Sequence, residues 1–352
     1  MRRRVFVGAL GSAGLRAAGW PAAGGEPPRH WAWVHGGGPR TADEWRRYYA
    51  RLRVGGLFGV HVGGGDTAVH SAAAREAGLV FSRWTWALNR SGDAQVKADH
   101  PEWFTVSREG NSSLTHPPYV PYYQWLCPTR PEVRRYVAEV FGAVARDPAV
   151  DAVHLDYIRH CDVILPVALW ARYNLVQDRE LPPYDFCYCD VCRAAFRRQA
   201  GRDPMALADA SQDAEWRRFR WDSVTGLVRE VARAVQAAGK PLTAAVFPTP
   251  SIARRLVRQA WDEWPLDAVF PMTYHGFYNE GIGWIGNAVR EGRAALPAGR
   301  PLYAGLYLPD LPPADLGMAV RNAMSAGASG VALFEADGLT DAHLQELSGA
   351  VR

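Results

Sequence analysis

The chain has 352 residues, enough for one large domain or two small ones, and its 48% hydrophobic and 22% charged residues are typical of a folded globular protein. The net charge of +4 is concentrated in the first 23 residues, which hold four arginines and no Asp or Glu. Beyond them 36 basic residues face 36 acidic ones. No basic run with interleaved aromatic residues occurs there, so the sequence offers little support for a nucleic-acid partner.

The N-terminal segment has the pattern of an export signal. Three arginines precede a modest apolar stretch, and Arg3-Arg4-Val5-Phe6-Val7 resembles a twin-arginine signal. We expect a signal at residues 1–23, a linker at 24–29 and one mature domain at 30–352, exported to the periplasm or the extracellular space. No later segment approaches the roughly 18 apolar residues of a membrane span, so none is expected.

Apolar strand-like runs alternate with longer helical patterns from residue 30 onward. Thr41 with Glu44 three residues later forms a predicted capping box at the start of the first helix. The predicted strands are His30–His35, Leu57–Val62, Leu79–Trp84, Val150–Cys161, Leu242–Phe247, Ala268–Met272, Leu302–Leu308 and Val331–Glu335. The predicted helices are Thr41–Arg53, Asp66–Ala77, Arg130–Arg146, Ala214–Ala238, Ile252–Trp261, Trp284–Leu296, Pro313–Ala326 and Thr340–Val351.

This alternation predicts an α/β protein, a closed (β/α)8 TIM barrel over residues 30–352. A doubly wound open sheet is the alternative, but no Gly-x-Gly-x-x-Gly turn follows the first strand. Long insertions follow strand three (Trp86–Pro128) and strand four (Asp162–Ala210), on the side where loops build substrate clefts. The 14 tryptophans of the chain fill its core or stack on flat apolar faces such as sugar rings. The aromatic residues in and beside the first insertion are predicted to form a cleft wall: Trp84, Trp86, Trp103, Phe104, Tyr119, Tyr122, Tyr123 and Trp125.

Acidic residues stand at the ends of several predicted strands. In the fourth, V-D-A-V-H-L-D-Y-I-R-H-C, alternation puts His154 and Asp156 on one face, and Asp156 is the leading catalytic candidate. Glu335 ends strand eight, with Val331 and Leu333 on its face, and is the second candidate, with which Asp337 competes. Asp310 follows strand seven, where it is either a ligand residue or a turn residue after proline. Paired carboxylates are the groups that cleave glycosidic bonds.

Further substrate contacts are predicted at the strand ends. The expected substrate-binding residues are His154, Arg159, Tyr274, His275, Trp84, Trp86 and Asp310. His35, His61 and His154 could also line the barrel floor, and they keep open a metal-dependent hydrolase, although no His-x-His or His-Glu-x-x-His spacing occurs.

The five cysteines include a close group, Cys187, Cys189 and Cys192. Cys189-x-x-Cys192 has the spacing of a zinc-chelating pair, and a fourth ligand would come from Cys161, Cys127 or a histidine. Disulfides are the competing interpretation in an exported protein. Either role is structural, so a structural zinc is possible while no cofactor is expected for the reaction.

Several motifs resemble bacterial family 10-like glycosyl hydrolases. They are H-L-D-Y-I-R at 154–159 with the preceding D-P-A-V-D-A-V, H-P-E-W-F at 100–104, C-P-T-R-P-E-V at 127–133 and D-A-V-F-P-M-T-Y at 267–274. The resemblance implies a (β/α)8 barrel that hydrolyses glycosidic bonds, with Asp156 as a catalytic carboxylate. This chain departs from the pattern at Tyr157, where relatives often carry a second acid, and at His160 and Cys161, which stand in place of an aromatic residue and a proline.

The sequence therefore predicts an exported glycoside hydrolase acting on a poly- or oligosaccharide. Asp156 would be the general acid/base, and Glu335 the nucleophile or second base. The alternatives are a carbohydrate-binding barrel without hydrolysis and a metal-dependent hydrolase.

Overall fold

The computed structural model describes residues 28–350. The predicted export signal and most of the linker lie outside the described residues. Eight parallel strands form one sheet: β1 (His30–His35), β2 (Leu57–Gly63), β3 (Val80–Trp86), β4 (Ala152–Asp156), β5 (Leu242–Val246), β6 (Ala268–Pro271), β7 (Tyr303–Tyr307) and β8 (Gly330–Phe334).

The strands pair in the order β6-β5-β4-β3-β2-β1-β8-β7. Two bridges between β6 and the region of β7, Val269 with Leu302 and Met272 with Gly305, bring the ends of the sheet together. The predicted (β/α)8 barrel is confirmed, because every consecutive strand pair is parallel and separated by helix.

Ten α-helices accompany the strands within the described residues. They are α1 (Ala42–Val54), α2 (Thr67–Ala77), α3 (Ala94–Asp99), α4 (Pro131–Arg146), α5 (Asp190–Ala200), α6 (Ala214–Ala237), α7 (Pro250–Val257), α8 (Gly283–Ala295), α9 (Pro313–Ser325) and α10 (Asp341–Gly349). Short 3₁₀ helices cover Pro101–Trp103, Val167–Leu169, Ala171–Tyr173, Pro182–Tyr184, Pro204–Ala206, Trp261–Glu263, His275–Tyr278, Leu308–Asp310 and Ala336–Gly338. The capping box of Thr41 and Glu44 is present at the start of α1. Within residues 28–350, every helix is too short or too polar to span a bilayer.

The barrel interior is filled mainly by aromatic side chains. Alternate residues of each strand point inward, and Trp31, Trp33, Phe270 and Tyr303 form one buried cluster there. Gly59 on β2 makes room for this filling, because a Cβ at that position would lie 2.4 Å from the Trp31 ring. The opposite faces of the strands pack against the surrounding helices in the larger aliphatic core.

Two long connections depart from the repeating strand-helix pattern. Residues 87–130 join β3 to α4 and contain α3, and residues 157–213 join β4 to α6 and contain α5. The predicted strand Val150–Cys161 is too long, since β4 ends at Asp156. Tyr157 has a φ of 47°, a left-handed conformation uncommon for a residue with a side chain, and it turns the backbone out of the sheet. The apolar residues after it are buried by the connection rather than by the strand.

Candidate active site

A cavity of about 410 Å³ opens at the carboxyl ends of the strands. It is bounded by strand ends and by both long connections. Asp156, Arg159, Asp162 and Glu335 are its charged residues, with His35 beside them. The other walls are mostly aromatic: Trp33, Trp84, Trp86, Tyr119, Tyr123, Tyr157, Tyr173, Phe247, Tyr274, Phe277, Tyr278, Tyr307 and Phe334.

Asp156, the last residue of β4, presents a partly buried carboxylate to this cavity. The indole N–H of Trp84 donates to its Oδ2 at 3.0 Å, and the backbone N–H of Tyr157 donates to its Oδ1 at 2.7 Å. The left-handed turn at Tyr157 accompanies this second bond. Burial raises the pKa of Asp156, and it outweighs the two donors, which favour the ionised form. A carboxyl group that holds its proton more tightly is suited to general acid catalysis.

Glu335 follows β8 directly and occupies a more open position. Its side chain is 42% exposed, and its Oε1 lies 3.4 Å from Nε2 of His35 at the end of β1. The predicted alternation holds within β8, since Ala332 and Phe334 pack in the interior cluster while Val331 and Leu333 lie in the larger outer core, but Glu335 does not continue it. Glu335 reaches the cavity because the strand ends at Phe334 and the chain then turns over the barrel mouth.

Two aromatic residues connect the surroundings of the carboxylates. Trp84 bonds Asp156, and its ring centroid lies 5.0 Å from that of His35, the partner of Glu335. Tyr274 is buried beside Phe334. Burial, the Asp156 carboxylate, Tyr307 and the Glu335 carboxylate all raise the pKa of Tyr274, so its hydroxyl stays protonated. The cavity therefore combines a shielded carboxyl group, an open carboxylate and a phenol.

Arg159 lies in a cage of aromatic rings at the edge of the cavity. Its guanidinium carbon is 4.7 Å from the Trp125 ring centroid and 5.2 Å from that of Tyr157. Its ion pair is with Asp162 at 2.8 Å, both side chains being buried. Because that pair neutralises its charge, Arg159 contributes a positioned donor edge rather than a free positive charge.

A shallower groove of about 870 Å³ adjoins the cavity over the ends of β1, β2 and β3. The two depressions share His35, Trp84 and Trp86. Polar side chains line the groove further out, among them Arg83, Asn89 and Gln95. An extended ligand seated in the cavity would therefore have a second surface to follow.

Three predicted substrate contacts do not line the cavity. His154 is fully buried in the barrel interior, where it accepts from the Trp33 indole at 3.0 Å and bonds Thr243 at 2.7 Å. His275 is buried at the start of its 3₁₀ helix, and Phe277 and Tyr278 of the same turn line the cavity instead. Asp310 is exposed and lies against Gly276. These three positions share one cause: a strand-end position does not fix how deep a side chain lies or which way the next turn directs it.

The structure adds residues that the sequence did not single out as ligands. His35 was expected on the barrel floor but lies at the mouth, exposed, next to Glu335. Tyr307 and Phe334, at the ends of β7 and β8, stack at 6.2 Å and close one side. The alternation of side chains along β7 and β8 points both residues inward, and this pattern could have identified them from the sequence. Of the predicted aromatic wall, Trp84, Trp86, Tyr119 and Tyr123 line the cavity, whereas Trp125 is fully buried.

None of the five cysteines lines this cavity. Cys187, Cys189 and Cys192 come together, as their spacing indicated, and Cys127 from the other long connection joins them. Cys161 is buried separately.

Comparison with known proteins identifies the fold. No family model matches the chain, nor does any curated protein sequence. Solved structures do: a beta-galactosidase from the Antarctic haloarchaeon Halorubrum lacusprofundi matches over 92% of this chain with a TM-score of 0.66 and 15% identity. The catalytic domain of a beta-amylase from Paenibacillus polymyxa matches over 92% with a TM-score of 0.63 and 10% identity.

A third solved structure, the PgaB (BpsB) glycoside hydrolase domain from Bordetella bronchiseptica, matches over 92% of this chain with a TM-score of 0.57 and 14% identity. This chain spans 57% of the beta-galactosidase, 96% of the beta-amylase domain and 97% of the PgaB domain. At these identities the likeness establishes a shared (β/α)8 fold. The resemblance to family 10-like enzymes stays an expectation from the sequence motifs.

Proposed function

We propose that this protein is a glycoside hydrolase that cleaves an oligo- or polysaccharide in the cavity at the barrel mouth. One observation carries the proposal: carboxylates from the ends of β4 and β8 open into a single cavity lined by aromatic rings. Aromatic faces stack on the apolar faces of sugar rings, and two carboxyl groups are what the hydrolysis requires. The glycoside hydrolases that share the fold are consistent with it, though fold alone does not determine function.

Asp156 is the proposed general acid. With its pKa raised by burial, it carries the proton that passes to the glycosidic oxygen as the bond to the anomeric carbon breaks. The Trp84 and Tyr157 donors then stabilise the carboxylate that remains. Glu335 is the proposed partner, acting from its open position either as the nucleophile or as the base that activates water. His35 orients the Glu335 carboxylate.

The proposed substrate extends beyond the cavity. A volume of about 410 Å³ suits a small number of sugar units, and the adjoining groove offers amide and guanidinium groups for hydroxyl contacts. Trp86, which borders both depressions, would stack against a ring at the junction. The arginine-rich start of the chain supports export to a compartment where polysaccharides are encountered.

The test is reducing-end release from a panel of polysaccharides by wild type, Asp156→Asn, Glu335→Gln and Asp310→Asn. Each of the first two variants is expected to lose about 10²- to 10⁴-fold in kcat/KM, the usual contribution of a positioned acid or base. Asp310→Asn, a matched change at an exposed strand-end carboxylate outside the cavity, should retain wild-type activity. Full turnover by Asp156→Asn would refute the assignment. For an active enzyme, the anomer first released, read by NMR, distinguishes direct attack by Glu335 from attack by water.

A second candidate is a barrel that binds carbohydrate without cleaving it. Tyr157, at the position where relatives often carry a second acid, favours it. Calorimetric binding of a glycan without product after prolonged incubation would support this alternative, and reducing ends that depend on Asp156 would exclude it. A metal-dependent hydrolase built on the barrel histidines gains no support, because His61 and His154 stack on each other at 3.8 Å in the interior rather than opening into the cavity.

A further inference from the structure

Four cysteine side chains converge between the two long connections. The Sγ atoms of Cys127, Cys187, Cys189 and Cys192 all lie within 4.8 Å of one another, and all four residues are buried. Cys127 lies near the end of the first connection, shortly before α4, and the other three surround the start of α5 in the second. Within residues 28–350 they form the one group of three or more His, Cys, Asp or Glu side chains whose ligand atoms converge in this way.

The spacing of the sulfur atoms matches a tetrahedral metal site. The Sγ of Cys127 is 3.4 Å from that of Cys192 and 3.8 Å from that of Cys189. A tetrahedron with zinc–sulfur bonds of about 2.3 Å has edges of about 3.8 Å. A disulfide needs roughly 2.05 Å, and all four residues are free thiols in the structure. Four mutually adjacent sulfurs, rather than two separated pairs, are what a single ion requires.

The surroundings suit the double negative charge that four thiolates and one divalent cation would carry. The backbone N–H of Val106 donates to Cys187 Sγ at 3.4 Å, and Thr129 Oγ1 lies 3.2 Å from Cys192 Sγ. Cys189 is the N-cap of α5, so the positive end of an 11-residue helix dipole adjoins the cluster. The largely buried side chain of Arg130 comes shortly after Cys127 in the chain and supplies a positive charge in this region. Such outer contacts orient ligands and offset their charge.

We propose that Cys127, Cys187, Cys189 and Cys192 bind one structural zinc ion that joins the two long connections. The backbone already links them there, through the N–H of Tyr188 to the Val106 carbonyl at 2.8 Å and the N–H of Arg108 to the Asp185 carbonyl at 2.9 Å. Both connections supply cavity walls, Tyr119 and Tyr123 from the first and Leu165 and Tyr173 from the second. The ion fixes the distance between these walls and takes no part in bond cleavage, so this proposal stands apart from the proposed function.

The first measurement is the metal content and thiol count of the full chain, purified without added metal. We expect about one equivalent of zinc per chain, released when a mercurial reagent titrates the thiolates. Cobalt substitution should give the intense visible bands of a tetrahedral thiolate site. After denaturation in chelator without reductant, all five cysteines should react as thiols. Zinc-free protein with a single reactive thiol, the count left by two disulfides, would overturn the proposal, as would zinc-free protein with five.

Variants identify the ligands. Cys192→Ser and Cys127→Ser should each lose most of the bound zinc and show a lowered Tm. Cys161→Ala, at a buried cysteine outside the cluster, should keep about one equivalent. Zinc retained by both serine variants would contradict the assignment. If those variants do not fold, the metal content and cobalt spectrum of wild type compared with Cys161→Ala still decide the matter, since loss of zinc from Cys161→Ala would place the ion elsewhere.

Discussion

The barrel interior and the barrel mouth are built from the same residue types and differ in what those residues can do. In the interior, Trp33 and Phe270 pack around His154, which is fully buried and bonded to neutral partners. At the mouth, Trp84 and Phe334 pack around His35, which is exposed and adjoins Glu335. Burial keeps His154 neutral in the interior, whereas His35 at the mouth lies beside the Glu335 carboxylate. Depth along the barrel axis, rather than residue type, separates the part that stabilises from the part proposed to react.

The largest effect should come from removing an interior ring. Phe270→Ala is expected to lower the free energy of unfolding by about 3–5 kcal/mol, because a wholly buried aromatic ring leaves a cavity between Trp31, Trp33 and Tyr303. Urea unfolding followed by tryptophan fluorescence measures the loss. A decrease in unfolding free energy below about 1 kcal/mol would mean that the interior repacks around the lost ring, and that its aromatic residues contribute no more to stability than those at the mouth.

The interior histidines should make stability depend on pH. Burial lowers the pKa of His154 from 6.5 to about 3, so it stays neutral in the folded chain while the unfolded chain takes up a proton below pH 6.5. Its contribution is complete above pH 6.5 and is lost as the pH falls towards 3, at about 1.4 kcal/mol per pH unit.

Urea unfolding at several values between about pH 6.5 and pH 5 tests this dependence. His154→Asn should reduce the slope of unfolding free energy against pH by about 1.4 kcal/mol per unit. An unchanged slope would show that the ring is not buried as a neutral group.

A mouth aromatic should affect binding more than stability. Trp86→Ala removes a partly exposed ring that packs on Tyr157 at 4.6 Å, so the unfolding free energy should change by less than about 1 kcal/mol. Loss of one stacking contact, about 0.5–1.5 kcal/mol, should raise KM for the saccharide about 2- to 10-fold. Steady-state kinetics beside urea unfolding separates the two effects. A stability loss matching that of Phe270→Ala would erase the distinction between the two regions.

The smallest predicted effect is a displacement of the pH profile. The Trp84 indole favours the ionised form of Asp156, so Trp84→Phe should raise the pKa of that carboxyl group. A general acid loses activity as the pH rises through its pKa, and the alkaline limb of kcat/KM should therefore move to higher pH. Trp86→Phe is the matched control, since the Trp86 indole makes no hydrogen bond to the Asp156 carboxylate. The alkaline limb of kcat/KM for this variant should stay where it is in wild type. A shift to lower pH in Trp84→Phe would mean that Asp156 is not the acid.

Much of the fold could be read from local patterns, and much of the site could not. Strand positions followed from apolar runs, and helix starts followed from capping residues such as Thr41 and Glu44. Each of these signals is contained in a few consecutive residues, so it can be read without knowing the fold. The depth of His154 and the outward position of Asp310 could not be predicted, since they depend on how far each strand extends into the barrel and how the following turn bends.

The sequence by itself determined the (β/α)8 alternation, the strand-end carboxylates Asp156 and Glu335, and the cysteine group at 187–192, because each is read from residue patterns that are local in the chain. Tertiary structure alone decided that Trp84 bonds Asp156, that His35 adjoins Glu335, and that Cys127 joins cysteines about 60 residues away in the other connection. The physical reason is that these contacts join segments far apart in the chain, which chain closure and shared burial bring together although their local sequences carry no mark of one another.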